Sequence, residues 1–242
     1  MSVFAEPVNE GDDFSEQIAG MVVKAIEVAG DATRPVVFSG QIAAGKTTLI
    51  AAVTKRIAEL GGYSVTVISD ISEDATVDSR MLEGLYDGTV SDIEFQAWKS
   101  ASMFSRLWEA QKNVRDVKNV IIMDRGPVDN EVFSSVRMLL QPTEASTAEV
   151  YKAINGISRL TAGFFKPACV VAMWGDEDDV LEAIKKRGRK CEEGIGRGYL
   201  SKLQGCFFSK WRGLEAEVPV VYANRFLGLV RASGAGSEAM RF

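Results

Sequence analysis

At 242 residues the chain exceeds a common domain length, yet one α/β domain can absorb it, and 46% hydrophobic residues supply a core that a disordered chain lacks. A net charge of −5 makes a poor general binder of DNA or RNA, whose phosphates need a basic face, so no nucleic acid polymer is expected as a partner. The chain has no histidine, which excludes His triads, His metal sites and an imidazole base and leaves proton transfer to Asp or Glu.

The N-terminus carries Glu6, Glu10, Asp12 and Asp13, the wrong sign for a signal peptide, and the apolar stretch after it is broken by Lys24 and Glu27, too short to span a bilayer. No membrane partner is expected. Cys169, Cys191 and Cys206 share no metal-type spacing, so free thiols and a cytoplasmic location fit them. Phe14, Ile18, Met21, Val22, Ala25, Ile26 and Ala29 recur at helical spacing, which predicts a leading helix within residues 1–33. Pro35 to Phe38 reads as a buried strand, Lys46 to Leu60 as a helix stopped by Gly61-Gly62, and Val65 to Ile68 as the next strand. Ser91-x-x-Glu94 is a capping box that opens a long helix reaching about Arg115. Val120 to Met123 is an apolar strand ending at Asp124. Further helical stretches lead to a strand at Cys169 to Trp174, a helix near Asp176 to Lys186 and a strand at Val218 to Tyr222. The alternation predicts one domain over 1–242 with a mostly parallel sheet covered on both faces, ligands lying beyond the carboxyl ends of its strands. Residues 231–242, small and polar in part, read as a flexible tail.

Gly40-Gln41-Ile42-Ala43-Ala44-Gly45-Lys46-Thr47 matches G-x-x-x-x-G-K-[ST], after a predicted strand and at the start of a predicted helix. Glycines let the backbone approach phosphates closely, and successive N–H groups of Gln41, Ala43, Ala44, Gly45 and onward to Thr48 face the anion. Lys46 supplies a charge for the β- and γ-phosphates and the Thr47 hydroxyl reaches Mg²⁺, so ATP and Mg²⁺ are the expected cofactors. Asp124, at the end of an apolar strand, is the companion carboxylate for the metal, and Arg125 beside it suits developing charge. No N-K-x-D element for guanine is present. The fold expected is α/β, a three-layer P-loop nucleoside triphosphate hydrolase-like fold, with a parallel sheet, helices on both faces and a helical lid over 186–198.

Four blocks then resemble the deoxynucleoside kinase family, sparsely, from about Val36 to Phe226. They are the P-loop; Tyr86 followed ten residues later by Gln96 in Phe95-Gln96; Asp124-Arg125-Gly126, similar to the family's Asp/Glu-Arg-Ser; and the lid-like run from Ile184 to Ile195 with Arg187, Arg189, Glu192 and Glu193, then Tyr199-Leu200. The resemblance implies ATP-dependent phosphorylation of a deoxynucleoside at its 5′-hydroxyl, by a homodimer built through long helices. It implies Asp70 as the proton acceptor, where the family has a glutamate, with Arg125 holding that carboxylate and the 5′-oxygen together. Arg187 and Arg189 would close over the transferring phosphoryl group. Gln96 would read the base and Phe95 or a neighbouring aromatic stack on it, Asp129 is the match for a base-contacting aspartate, and Tyr86 with one of Glu192 or Glu193 would bind the 3′-hydroxyl.

From Gln96, helical spacing puts Lys99, Ser100 and Met103 on the same face. Met103 is expected against the base. Lys99 is expected to extend outward to water, or else to mark a charged acceptor. That second option keeps a thymidylate-kinase-like monophosphate kinase as an alternative, and Asp70-Ile71 and Gly126, standing where the family has Glu-Pro and Ser, keep a non-catalytic ATP-binding protein as another.

Overall fold

The structure, a computed structural model, describes residues 12–70, 76–114, 118–140, 144–189, 192–224 and 226–235. In chain order these form α1 (Asp12–Ala29), β1 (Val36–Gly40), α2 (Lys46–Glu59), β2 (Ser64–Ile68), α3 (Thr76–Asp87), α4 (Asp92–Lys112), β3 (Asn119–Asp124), α5 (Pro127–Leu140), α6 (Ala145–Phe164), β4 (Cys169–Met173), α7 (Glu177–Arg187), α8 (Arg197–Leu214), β5 (Val220–Asn224) and β6 (Leu229–Ser233). The six strands make one sheet in the order β2-β3-β1-β4-β5-β6, parallel except for β6.

Alternate residues of each inner strand point to opposite faces, and both faces are apolar, which is why the strands read as continuous hydrophobic runs. Val36 and Phe38 of β1, Val120 and Ile122 of β3, and Cys169, Val171 and Met173 of β4 meet Ile18, Val22 and Ile26 of α1 and Leu49, Val53 and Ile57 of α2. Val37, Ile121, Met123, Val170 and Ala172 face the other way, onto Met103 and Leu107 of α4, Val132 and Val136 of α5, and Leu203, Phe207 and Trp211 of α8. Burial of the Cys169 thiol in the first of these cores pushes its pKa up to about 12, so it behaves as an apolar side chain. Cys191 lies outside the described residues.

The predicted elements form close to their expected bounds, and the capping box is present: the Ser91 hydroxyl accepts from the Glu94 N–H at 3.2 Å while the Glu94 carboxylate accepts from the Ser91 N–H at 2.8 Å. The tail is corrected in part. Residues 231–233 complete β6, which pairs antiparallel with β5, and a Cβ at Gly234 would lie 2.7 Å from the Glu215 carbonyl oxygen, so the chain is packed there rather than loose. Residues 236–242 lie outside the described residues. Among the described residues no helix is long and apolar enough to cross a membrane.

Glu131 of α5 ties three helices together. Its carboxylate accepts from Arg159 of α6, with Nε at 2.9 Å, and from Lys210 of α8 at 2.6 Å. Burial opposes its ionisation, yet those two cations outweigh burial and hold its pKa below the ordinary glutamate value. A group depressed in the folded state stabilises above its unfolded pKa and loses that contribution as pH falls through the folded one. Glu131→Gln is therefore expected to cost about 1–3 kcal/mol at neutral pH. In thermal melts, the gap to wild type should narrow as the pH drops below the ordinary carboxylate range.

Candidate active site

At the carboxyl edge of the sheet, the loops after β1, β2 and β3 and helices α3, α4, α5, α7 and α8 enclose an open cleft of about 1360 Å³. The P-loop forms its floor. Gly40 is enforced by β4, since a Cβ there would sit 2.2 Å from the Met173 carbonyl oxygen. Gly45 caps α2 at φ 84°, and even Ala43 takes a left-handed φ of 56°. The Lys46 ammonium, buried at 7% exposure, donates to the carbonyls of Gly40 at 3.2 Å and Gln41 at 2.8 Å. Burial first, then the neighbouring Arg125 guanidinium, lowers its pKa to about 8 despite Asp124, Asp70 and Asp129 nearby. Lys46, Thr47, Thr48, Ala43 and Gly45 line the cleft; Gln41 instead bonds its amide to the Gly175 carbonyl at 3.0 Å, and Ala44 packs in the core.

The Thr47 hydroxyl donates to Asp124 Oδ2 at 2.9 Å, while Asp124 Oδ1 is buried with no hydrogen-bond partner. An orphaned carboxylate oxygen beside a hydroxyl, next to a phosphate cradle, fits Mg²⁺, which takes one or two protein oxygens and completes its shell with phosphates and water. Among the described residues no group of three or more His, Cys, Asp or Glu is placed to hold a metal ion by itself.

Arg125 adopts a left-handed φ of 69°, a strained backbone for a non-glycine residue. The turn is held by its N–H on the Phe38 carbonyl at 2.9 Å, and it swings the side chain into the crevice that Asp124 also faces. There its Nε donates to Asp70 Oδ2 at 2.8 Å, its Nη1 donates to the Gly40 carbonyl at 2.6 Å, and its guanidinium lies 4.8 Å from the Phe133 ring centroid. Gly126 follows because a Cβ would approach Val37 Cγ1 to 2.8 Å.

Asp70, just past β2, thus meets Arg125, as expected. Lys99 does not extend outward. It is 4% exposed, donates to the Asp70 carbonyl and pairs with Asp70 Oδ1 at 2.5 Å. A short carboxylate reachable from the α4 face keeps the ammonium inside, where it finds a counter-charge. Burial alone raises the pKa of Asp70, but Lys99 and then Arg125 outweigh it and leave the carboxyl below its ordinary value.

Tyr86, Phe95, Gln96, Arg187, Arg189 and Glu192 all line the cleft. Gln96 is 5% exposed and its amide has no protein hydrogen-bond partner among the described residues, so its pairing edge is available to a ligand. Glu192 is buried and accepts from Arg187 Nε at 3.0 Å, with Arg189 at 3.9 Å, whereas Glu193 is exposed and outside the cleft lining. Asp129 and Met103 do not line the cleft either. Asp129 is 0% exposed: Oδ1 accepts from Ser39 Oγ at 3.0 Å and Gly40 N–H at 3.2 Å, Oδ2 from Gly126 N–H at 2.8 Å, so it braces the P-loop from below. Met103 is in the core, its sulfur 3.7 Å from the Asn130 amide nitrogen. The cleft instead receives Asn130, Phe133 and Arg137, one face of α5 at helical spacing, together with Asp92 one turn before Gln96. Helical spacing counted from Asp129 reaches Phe133 of these three, while Asn130 and Arg137 lie on the neighbouring stripe of α5.

A P-loop kinase fold with its glycine-turned loop after β1, a strand-end carboxylate and, where a helical lid was expected, the arginine-bearing segment between α7 and α8 defines the class. The deoxynucleoside kinase family matches residues 36–225, and this chain belongs to that family. It is 25% identical over 221 residues to a deoxyadenosine kinase from Dictyostelium discoideum, covering 86% of this chain and 80% of that protein. A deoxyguanosine kinase from the same organism is 24% identical over 174 residues, covering 71% of this chain and 56% of its own length. Among solved structures, deoxyadenosine kinase from M. mycoides with bound dATP has a TM-score of 0.62 at 20% identity, covering 80% of this chain and 92% of that one. The same enzyme with the products dCMP and dCDP bound gives 0.59 at 19% identity, covering 80% and 91%. These structural likenesses show the fold.

Proposed function

We propose that this deoxynucleoside kinase transfers the γ-phosphate of ATP to the 5′-hydroxyl of a deoxynucleoside, releasing ADP and the 5′-monophosphate. The observation that carries the reading is the ion pair between Asp70 and Arg125, which stands in one cleft with Lys46 and Gln96. The P-loop amides and Lys46 hold the triphosphate. Thr47 and Asp124 hold Mg²⁺, which when bound offsets phosphate charge. As the O5′–Pγ bond forms and the bond from Pγ to the bridging oxygen breaks, Asp70 takes the hydroxyl proton and Arg125 keeps carboxylate and 5′-oxygen together. A weak base suffices, because phosphoryl transfer depends on positioning and charge more than on proton affinity. Arg187 and Arg189 supply charge over the transferring group, Gln96 reads the base against Phe95, and Tyr86 with Glu192 holds the 3′-hydroxyl. The engagement of Lys99 with Asp70 removes the support it lent to a monophosphate acceptor.

An ADP-release assay with the four deoxynucleosides, dTMP and dAMP tests this reading; deoxyadenosine and deoxyguanosine head the panel because the two curated relatives are named for them. Turnover of a nucleoside is expected, and turnover of monophosphates alone would overturn it. A cytoplasmic location fits the need for ATP.

Homodimerisation is supported by one surface. Phe104 and Trp108 of α4, stacked at 6.5 Å, and Ile157, Leu160 and Phe164 of α6, up to 82% exposed, form neighbouring apolar stripes. A second copy presenting the same stripes would cover them. Light scattering is expected to give a dimer for wild type and a monomer for Leu160→Glu/Phe164→Glu; a wild-type monomer at micromolar concentration contradicts it.

A further inference from the structure

Beyond the arginine, a second cation grips the carboxylate at the centre of the cleft. Lys99 and Arg125 take one carboxylate oxygen each, at 2.5 Å and 2.8 Å, and Oδ1, on the Lys99 side, is buried. Lys99 also holds the Asp70 carbonyl, and Arg106, two turns further along α4, donates to the Ser69 carbonyl at 3.2 Å. The two cations thus clamp consecutive carbonyls just past β2, an edge strand with a sheet neighbour on one side only. Arg106 also binds both oxygens of buried Asp78, at 2.7 and 2.6 Å, tying in α3. Gln96 lies three residues before Lys99 on the same helix face, so one rigid element carries both the base-facing amide and the holder of the carboxylate.

We propose that Lys99 is a positioning residue for phosphoryl transfer, fixing Asp70 in place and linking that placement to α4, the helix that faces the nucleobase. The inference rests on Asp70 being the proton acceptor. Lys99 touches no reacting atom; it acts through Asp70. The charged groups facing Asp70 are Lys99 from α4, Arg125 from the turn after β3 and Lys46 from α2, with Asp124 and Asp129 behind Arg125. Removing Lys99 takes away one of the cations that favour the ionised form.

Lys99→Met keeps an unbranched side chain one atom shorter and removes the charge. It is expected to lower kcat by about 10- to 100-fold, the scale of a small misplacement of a reacting group, with the KM for ATP unchanged. In a cycle with Asp70→Asn, the double variant should be no slower than Asp70→Asn alone, because residues acting as a unit are not additive. Multiplying losses, or an unchanged kcat in Lys99→Met, would overturn the proposal. Thermal melts check folding; should Lys99→Met not fold, Lys99→Gln, which keeps an N–H donor, takes its place with a smaller expected loss. A ¹³C NMR titration of the Asp70 carboxyl needs no turnover: it should move to higher pH in the variant, and an unmoved titration sinks the inference. A wild type inactive toward every deoxynucleoside would sink the functional reading instead, and the titration would still decide the role of Lys99.

Discussion

Lys46→Ala is expected to reduce phosphoryl transfer by at least about 10³-fold, the scale of losing a charge that faces a transferring phosphoryl group. The ammonium stands at the start of α2 among three carboxylates, Asp70, Asp124 and Asp129. Without it a triphosphate would meet those acids with less positive charge to offset them, so ATP affinity should fall along with kcat. The carbonyls of Gly40 and Gln41 would lose their donor but keep access to water through the cleft, so the fold should survive. The lowered pKa, about 8, adds a signature. Above that pH a growing fraction of the free protein carries neutral Lys46, and phosphates favour the charged form. ATP binding should therefore weaken as pH rises past 8 and take up a proton there, which calorimetry in buffers of different ionisation enthalpy can read. A Lys46→Ala enzyme within a few-fold of wild type would contradict the placement of the triphosphate.

Asp70→Asn should lower kcat by roughly 10²- to 10⁴-fold, the usual span for a positioned acid or base, with little effect on ATP binding. The amide cannot accept the proton, and it withdraws the negative charge that Lys99 and Arg125 share. Because those cations outweigh burial and keep the carboxyl below the ordinary aspartate range, wild type should show no loss of activity from this group through neutral pH. Its acid limb should appear only at low pH. An Asp70→Asn enzyme with wild-type kcat would mean that another group receives the proton.

Much of this site was legible because its chemistry demands particular residue types at short, local spacing. The P-loop, the Asp124-Arg125 pair at a strand end and the Arg187, Arg189 and Glu192 run all fall within a few residues of one another in sequence. What was not legible depends on what lies across a gap in space. Helical spacing put Lys99 on the right face of α4, but its partner Asp70 is 29 residues away and belongs to another element. Asp129 and Asn130 differ by one position, about 100° around a helix, and the start of α5 at Pro127 decides that Asn130 lines the cleft while Asp129 turns under the P-loop. Met103 has the spacing of a pocket residue and is core, since one helix face serves both the cleft and the layer beneath it. Residues 231–233, whose composition reads as tail, belong to a strand only through the pairing of β6 with β5. Glu192 and Glu193 are told apart only in space, where Glu192 is buried against Arg187 and lines the cleft while Glu193 is exposed.

The central claim is that a nucleoside 5′-hydroxyl, held beside Asp70 and Arg125, receives the γ-phosphate of ATP. Incubating the protein with γ-³²P-ATP, Mg²⁺ and deoxyadenosine or deoxyguanosine and identifying the labelled product tests it directly. Label in the 5′-monophosphate, formed at least about 10²-fold more slowly with Asp70→Asn, is the predicted result; ATP bound but no label on any of the four deoxynucleosides would contradict it.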